Sequence, residues 1–172
     1  MSDRCIVRPS EPGDVPKIQT IYATHVLTGL ATFEEVPPSV REMSARRQKT
    51  LDLKLPYLVA TVNGEVVGYC YAGPYHTRHA YRFTLEDSIY LDPAIKGRGV
   101  GSALLKELIR ETTELGYRQM IAVIGDTDNE SSIGLHRKFD FQHVGVLDRV
   151  GFKFGRWVNV VLMQLALGAD HN

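Results

Sequence analysis

The stretch Arg82-Phe83-Thr84-Leu85-Glu86-Asp87-Ser88-Ile89-Tyr90-Leu91, followed shortly by Lys96-Gly97-Arg98-Gly99-Val100-Gly101 and the run to Leu115, decides the fold. In its first part Phe83, Leu85, Asp87, Ile89 and Leu91 alternate with Arg82, Thr84, Glu86, Ser88 and Tyr90, the period of an extended strand. Glu86 and Tyr90 therefore share a face. In its last part Val100, Leu104, Leu105, Leu108, Ile109 and Leu115 recur at helical spacing, with Lys106, Glu107, Arg110 and Glu111 opposite, which predicts an amphipathic helix. The glycines between them allow close backbone approach. Amide N–H groups converge there with the positive end of the helix, and that point favours an anion. The plainer alternative is a loop that only turns the chain, for which glycine is the usual solution. The spacing is neither Gly-x-Gly-x-x-Gly nor a turn ending in Gly-Lys-Ser/Thr, so dinucleotide-dependent hydride transfer and nucleotide hydrolysis both lose support.

Upstream, Cys5 to Arg8 reads as a short strand, and Pro12-Gly13-Asp14 opens a helix carrying Val15, Ile18, Ile21, Tyr22 and Val26. Ser39 caps a second helix, to about Leu53, whose charges Arg41, Glu42, Arg46, Arg47 and Lys49 suggest a solvated outer face. Tyr57 to Val62 and Glu65 to Ala72 flank Asn63-Gly64, a strong hairpin signal. Downstream, Met120 to Ile124 is a short buried strand, Asn129 to Phe139 a helix, and Phe141 to Val150 and Trp157 to Leu165 two further strands. The order β α α β β β α β α β β predicts an α/β (α+β) fold: a mixed, mostly antiparallel sheet flanked by helices, with a parallel β-α-β unit in the middle.

Length and composition fit one globular domain over residues 1–167, with a loose tail at 168–172. Apolar residues make up 44% and charged residues 23%, and acids and bases balance at 20 each, so bulk charge gives no reason to expect nucleic acid or an anionic membrane as partner. Cys5 and Cys70 lack any metal-ligand or redox spacing and read as buried free thiols, and no metal site is expected. Neither a leader-like apolar segment nor a membrane-length run is present, which makes the cytoplasm the expected location.

Lys96-Gly97-Arg98-Gly99-Val100-Gly101 resembles the acetyl-CoA turn of the GNAT acetyltransferase superfamily, Gln/Arg-x-x-Gly-x-Gly/Ala, with Lys96 departing at the first position. Asn129 to Phe141 resembles that family's Asn-x-x-Ala/Ser-x-x-x-Tyr/His-x-Lys-x-Gly-Phe helix, with Asp140 in place of glycine. Asp tolerates positive φ better than most residues. Asn129, Ser132 and His136 fall on one helical face, which in the family meets the CoA arm and the thioester. Across almost the whole chain, Ile21-Tyr22, Ala31-Thr32-Phe33-Glu34, Tyr71-Ala72-Gly73-Pro74, Arg78, Ala80 to Tyr90 and Gly151 to Trp157 resemble the phosphinothricin and methionine sulfoximine/sulfone N-acetyltransferases.

The resemblance implies the GNAT fold and transfer of acetyl from acetyl-CoA to the α-amino group of a small amino-acid analogue. It implies a cofactor site formed by Tyr90, Leu91, Lys96, Gly97, Arg98, Gly99, Val100, Gly101, Ser102, Asn129, Ser132 and Lys138. Glu86 aligns with the family's general base; a solvated glutamate or an ion pair with Arg82 is the alternative. His136 stands open between packing, hydrogen bonding to substrate or water, and protonating the thiolate. If a bulge frees them, the N–H groups of Tyr90 and Leu91 form an oxyanion hole.

Phe33, Glu34, Arg78, Tyr81, Arg82 and Thr84 are the acceptor-side candidates, Arg78 and Arg82 for a carboxylate. The resemblance also implies a homodimer with the site near the interface, for which Lys153, Arg156 and Trp157 are candidates, Trp157 alternatively being core. Two rival readings stand beside this one. The first is a GNAT acting on a protein N-terminus, a polyamine or an aminoglycoside; the last two are cationic and call for an acidic cleft, against which the acid-free segment Tyr75 to Arg82 argues. The second is a noncatalytic acyl-CoA-binding sensor.

Overall fold

The computed structural model describes residues 5–95 and 97–168. Lys96, the first residue of the glycine turn, lies outside the described residues, as do residues 169–172 of the expected tail. The alternating segments form β1 (Cys5–Pro9), β2 (Tyr57–Val62), β3 (Glu65–Pro74), β4 (Thr84–Leu91), β5 (Gln119–Gly125), β6 (Gln142–Lys153) and β7 (Arg156–Ala166). They join in one seven-stranded sheet of order β1-β2-β3-β4-β5-β7-β6. All neighbours are antiparallel except β4 and β5, which α3 (Val100–Glu114) connects as a parallel pair. This is the mixed, mostly antiparallel sheet with a parallel β-α-β unit that the order of elements predicts.

Period-two alternation divides the core between the two faces. On one, Ile18, Ile21 and Val26 of α1 (Val15–Thr28) and Met43 of α2 (Val40–Asp52) pack on Tyr57, Val59 and Tyr69. On the other, Leu104, Leu105 and Leu108 of α3 and Ile133 of α4 (Glu130–Lys138) pack on Leu85, Met120 and Met163. Ser39 caps α2 as expected, its hydroxyl accepting from the Glu42 amide. Asp140, standing in the family's glycine position, adopts φ 64°.

Several expectations need correction. Arg47 does not belong to a solvated face: it is buried, its Nε donating to Ser10 Oγ at 2.7 Å and its Nη2 to Ser10 O at 2.6 Å, which fastens α2 to the end of β1. Cys70 is buried, but Cys5 is only partly so. Strand β4 begins at Thr84, because Arg82 closes a 3-10 turn (His79–Tyr81) with helical φ −56° and ψ −18°, and Phe83 is exposed. Arg82 therefore leaves the face that carries Glu86. The last hairpin is longer than its apolar pattern indicated, pairing as far as Lys153 with Arg156 around Phe154-Gly155, whose φ values of 52° and 73° suit a two-residue turn.

The feature that makes a site is the parting of β4 from β5. Their ladder covers only Thr84–Asp87 against Gln119–Ala122, yet β4 continues to Leu91 paired with β3, and β5 continues to Gly125 paired with β7. A bulge at Tyr90 and Leu91, the condition under which their amides were considered for an oxyanion hole, does not interrupt the pairing with β3, where β4 keeps unbroken register.

Residues 29–33 close the open end of this wedge, and Gly125 admits them: a Cβ there would stand 2.2 Å from Leu30 O. Gly125→Ala is expected to lower stability by about 1–3 kcal/mol, since backbone must move to relieve the overlap. Gly134→Ala, at an exposed helical glycine with open space around it, should instead raise stability by about 0.5–1 kcal/mol. Thermal melts of the two variants check the contrast.

Candidate active site

Two confluent cavities occupy the wedge. The smaller, about 230 Å³, is lined by residues 31–33, by Glu86 to Tyr90 and by Asn129, Ser132 and His136. The larger, about 700 Å³, runs past Leu91 to Gly97 on one side and Asp126 to Leu135 on the other. Ala31, Ile89, Gly125, Asn129 and Ser132 border both, so the two are arms of one cleft.

Alternation along β4 sends neighbouring carboxylates to opposite faces, where they meet different surroundings. Glu86 is half-buried on the side of α1 and α2, and its carboxyl has no hydrogen-bond or ion-pair partner among the described residues. Burial raises its pKa above the ordinary glutamate value, and the Asp87 charge adds to the effect. The ion pair with Arg82 considered from sequence is not formed: Arg82 donates to His79 O and lies over the Phe83 ring, 4.6 Å from its centroid. Tyr90 packs edge-on against Tyr22 at 5.0 Å between ring centroids, continuing an apolar wall beyond Glu86.

Asp87 is buried against His136, whose Nε2 lies 2.9 Å from Asp87 Oδ2 while its Nδ1 donates to Ser132 O at 2.7 Å. Burial opposes the imidazolium, but the Asp87 hydrogen bond and charge and the Ser132 carbonyl outweigh it, so the His136 pKa is raised. With both ring nitrogens committed, His136 reaches the cleft as part of its wall. Acting directly on a substrate would require one of these bonds to break. In the sequence, the alternation marks Asp87 only as inward-facing. The signal lay in pairing an inward acid with an inward histidine on the adjoining helix.

The larger arm runs between the glycine turn and the start of α4. Gly97 and Gly99 hold φ 77° and 73°, conformations that side chains resist, and Gly99 is the N-cap of α3 without a side-chain cap. The first amides of α3 therefore keep their donors for a ligand. Gly101 lies inside α3, where a Cβ would meet Leu135 Cδ2 at 3.2 Å and that side chain would have to give by a few tenths of an ångström. Lys138 Nζ donates to Ser102 Oγ at 3.1 Å, which places a cation beside the same helix start. Asn129 caps α4, its Oδ1 accepting from the Ser132 amide at 3.3 Å. His25, unremarked in the sequence, holds the end of β4 through Nε2 to Leu91 O at 2.8 Å.

The acceptor-side candidates divide. Phe33 lines the small cavity, but Glu34 is tied to Arg46, and Arg78, Tyr81 and Arg82 sit exposed on the turn before β4, outside both arms. Thr84 starts β4 without bordering the cleft. The basic segment 75–82 thus does not set the charge of the cleft within one chain. Of the interface candidates, Lys153 is fully buried inside its own chain and is withdrawn. Arg156 pairs with Asp126 at 3.1 Å and Trp157 is 63% exposed, so Trp157 is not core. Among the described residues, no three His, Cys, Asp or Glu side chains gather as a metal site, and no helix is long and apolar enough to cross a membrane.

Comparison with known proteins agrees with this geometry. Residues 23–141 match the acetyltransferase (GNAT) family. Phosphinothricin N-acetyltransferase of Alcaligenes faecalis is 53% identical over 96% of this chain and 84% of its own. L-methionine sulfoximine/L-methionine sulfone acetyltransferase of Pseudomonas aeruginosa is 36% identical over 94% of each. Among solved structures, a phosphinothricin acetyltransferase from Sinorhizobium meliloti in complex with acetyl-CoA superposes with a TM-score of 0.92 at 46% identity, covering 95% of this chain and 89% of that one. The matched turn, the parted strands and these relatives lead to one conclusion: the chain belongs to the GNAT acetyltransferase family and is an acetyl-CoA-dependent N-acetyltransferase.

Proposed function

We propose that the enzyme acetylates the α-amino group of a small amino-acid analogue of the phosphinothricin or methionine sulfoximine/sulfone type, with Glu86 as general base. The observation that carries this reading is the half-buried Glu86 carboxyl on the wall of the smaller arm, without a hydrogen-bond or ion-pair partner among the described residues. An α-amino group with an ordinary pKa near about 8 is mostly protonated at neutral pH and attacks only as the free amine. Glu86 takes its proton, directly or through water. The amine nitrogen bonds to the acetyl carbonyl carbon, the C–S bond breaks, and CoA leaves as a thiolate that acquires a proton. The β4–β5 ladder ends at Asp87, so amides of Ser88–Leu91 on the β5 side are left to hydrogen-bond the thioester oxygen. At about 230 Å³ the acceptor arm is below the roughly 300–1,000 Å³ of drug-sized sites and suits an amino acid better than an aminoglycoside.

We place acetyl-CoA with its pyrophosphate on the amides from Gly97 to Ser102, Lys96, Arg98 and Lys138 supplying positive charge, and its pantetheine along Tyr90, Leu91, Asn129 and Ser132. Residues 1–167 act as one domain, and the thiols of Cys5 and Cys70 suit a reducing cytoplasm. We also infer a homodimer. Strand β6 is an unpaired edge, and Val150, Phe152, Phe154 and Trp157 on the last hairpin are each more than half exposed, a patch that a second copy would cover. A dimer also offers the exposed Arg78 and Arg82 a route to a carboxylate bound at a partner's cleft.

Coenzyme A release with methionine sulfone, methionine sulfoximine, phosphinothricin and spermidine tests the acceptor. Turnover of the amino-acid analogues and not of spermidine is expected, and the reverse order overturns the reading. Glu86→Gln should lower kcat by about 10²–10⁴-fold while acetyl-CoA still binds. Because the raised Glu86 pKa must be passed before the base is ionised, kcat/KM should fall as pH drops through it and recover above, and Glu86→Gln should lose that acid limb. Gly99→Val imposes strain of about 1–3 kcal/mol on a residue at φ 73° and should abolish acetyl-CoA binding in calorimetry with circular dichroism unchanged. Sedimentation should give a dimer, and Phe152→Asp with Trp157→Asp should give a monomer.

A further inference from the structure

We propose that Lys153 is a positioning residue that fixes the acceptor-side wall of the cleft, an inference that rests on the acceptor arm assigned above. Lys153 ends β6 and is 0% exposed, with Nζ donating at 2.8 Å to Gly29 O and at 2.8 Å to Thr32 O. The Phe154 ring, with its centroid 4.9 Å from Nζ, covers the cation. Burial lowers the Lys153 pKa, and the Glu35 and Glu34 charges only partly oppose it. No carboxylate pairs with Nζ among the described residues. An ammonium so placed is costly, and an apolar side chain of similar length would fill the same volume at less cost. What the amine adds is a double hydrogen bond to a loop 121 and 124 residues away.

That loop is the wall facing Glu86. Ala31, Thr32 and Phe33 line the small cavity. Other contacts also hold the loop, among them Gly29 N donating to His25 O at 3.0 Å and the Arg46 ion pair with Glu34. The Phe33 ring lies on Gly151, where a Cβ would approach Cε2 to 2.3 Å, and Tyr22 Oη hydrogen-bonds Thr32 Oγ1 at 2.8 Å. Lys153 grips the main chain at both ends of the turn and so sets how far an amine bound against Thr32 and Phe33 stands from the Glu86 carboxyl. The turn Gly97 to Ser102 and α4, which carry the cofactor arm, make no contact with Lys153 through these hydrogen bonds.

Lys153→Met keeps the length of the side chain and removes the donors. For the amine that wild type acetylates best, kcat/KM is expected to fall about 10²-fold, mainly through KM, as a misplacement near 1 Å can cause. Calorimetric affinity for acetyl-CoA should stay within about threefold, because its anchors are elsewhere. Glu-C cleavage after Glu34 and Glu35 should accelerate, reporting release of the loop without reference to catalysis. Unchanged kinetics and cleavage overturn the proposal, as does an equal loss for both substrates with reduced thermal stability, the sign of a structural staple. Should Lys153→Met fail to fold, Gly151→Ala displaces Phe33 with the lysine intact. It should raise acceptor KM while the loop stays resistant to Glu-C, and an unchanged KM overturns the proposal. If wild type acetylates none of the amino-acid analogues, the acceptor reading fails alone: the cleavage measurement still decides the loop, and the kinetics are run with whichever amine is turned over.

Discussion

The short parallel ladder between β4 and β5 is the constraint on which the site depends. Each strand is held more extensively by its outer neighbour than by its parallel partner: β4 stays registered with β3 through Leu91, and β5 with β7 through Gly125. Sheets twist from strand to strand, so two strands bound to diverging partners separate once their own ladder ends. The close fit of Gly68 against Leu91, where a Cβ would stand 2.6 Å from Leu91 Cδ2, and the His25 bond to Leu91 O keep β4 on its outer course. The wedge is thus a product of pairing and twist. The glycine turn lies beyond its mouth because the chain must cross from the end of β4 into α3.

Within the wedge, one pair of adjacent acids is sorted into two roles by environment alone. Asp87 faces the helix side and is engaged by His136, which ties β4 to α4 and hence the acceptor arm to the helix that Asn129 caps. Glu86 faces the opposite side, is half-buried and lacks a partner, which leaves its proton affinity raised and its oxygens available. Environments that separate the behaviour of neighbouring carboxyls are a common arrangement for acid-base chemistry.

The parts of this arrangement carried by local periodicity were legible in the residues. Alternation placed Glu86 and Tyr90 together, the Leu104 to Leu108 stripe oriented α3, and Gly97 and Gly99 of the turn take positive φ. Asp140 has it as well. What stayed hidden depended on partners far along the chain. Arg47 reads as one more charge on a polar helix until Ser10, 37 residues away, accepts its hydrogen bonds. Lys153 reads as part of an outer hairpin until the carbonyls of Gly29 and Thr32 arrive beside it. Arg82 continues the alternation on paper, but a single helical turn at His79–Tyr81 removes it from the strand.

The same distinction separates the two arms of the cleft. The arm proposed for the cofactor is built from a turn and two helix starts, each specified within a few residues, which is why the family is legible from short motifs. The acceptor arm is built by laying one loop across strands much later in the chain, and its fit relies on absent atoms: Gly125 leaves room for Leu30 O and Gly151 for the Phe33 ring. Neither glycine has positive φ, so neither is required by a turn. A glycine inside an apolar strand, with no turn to justify it, marks a place where another part of the chain comes close. Gly125 and Gly151 are two such glycines, and the space each leaves is filled by the loop that forms the acceptor wall.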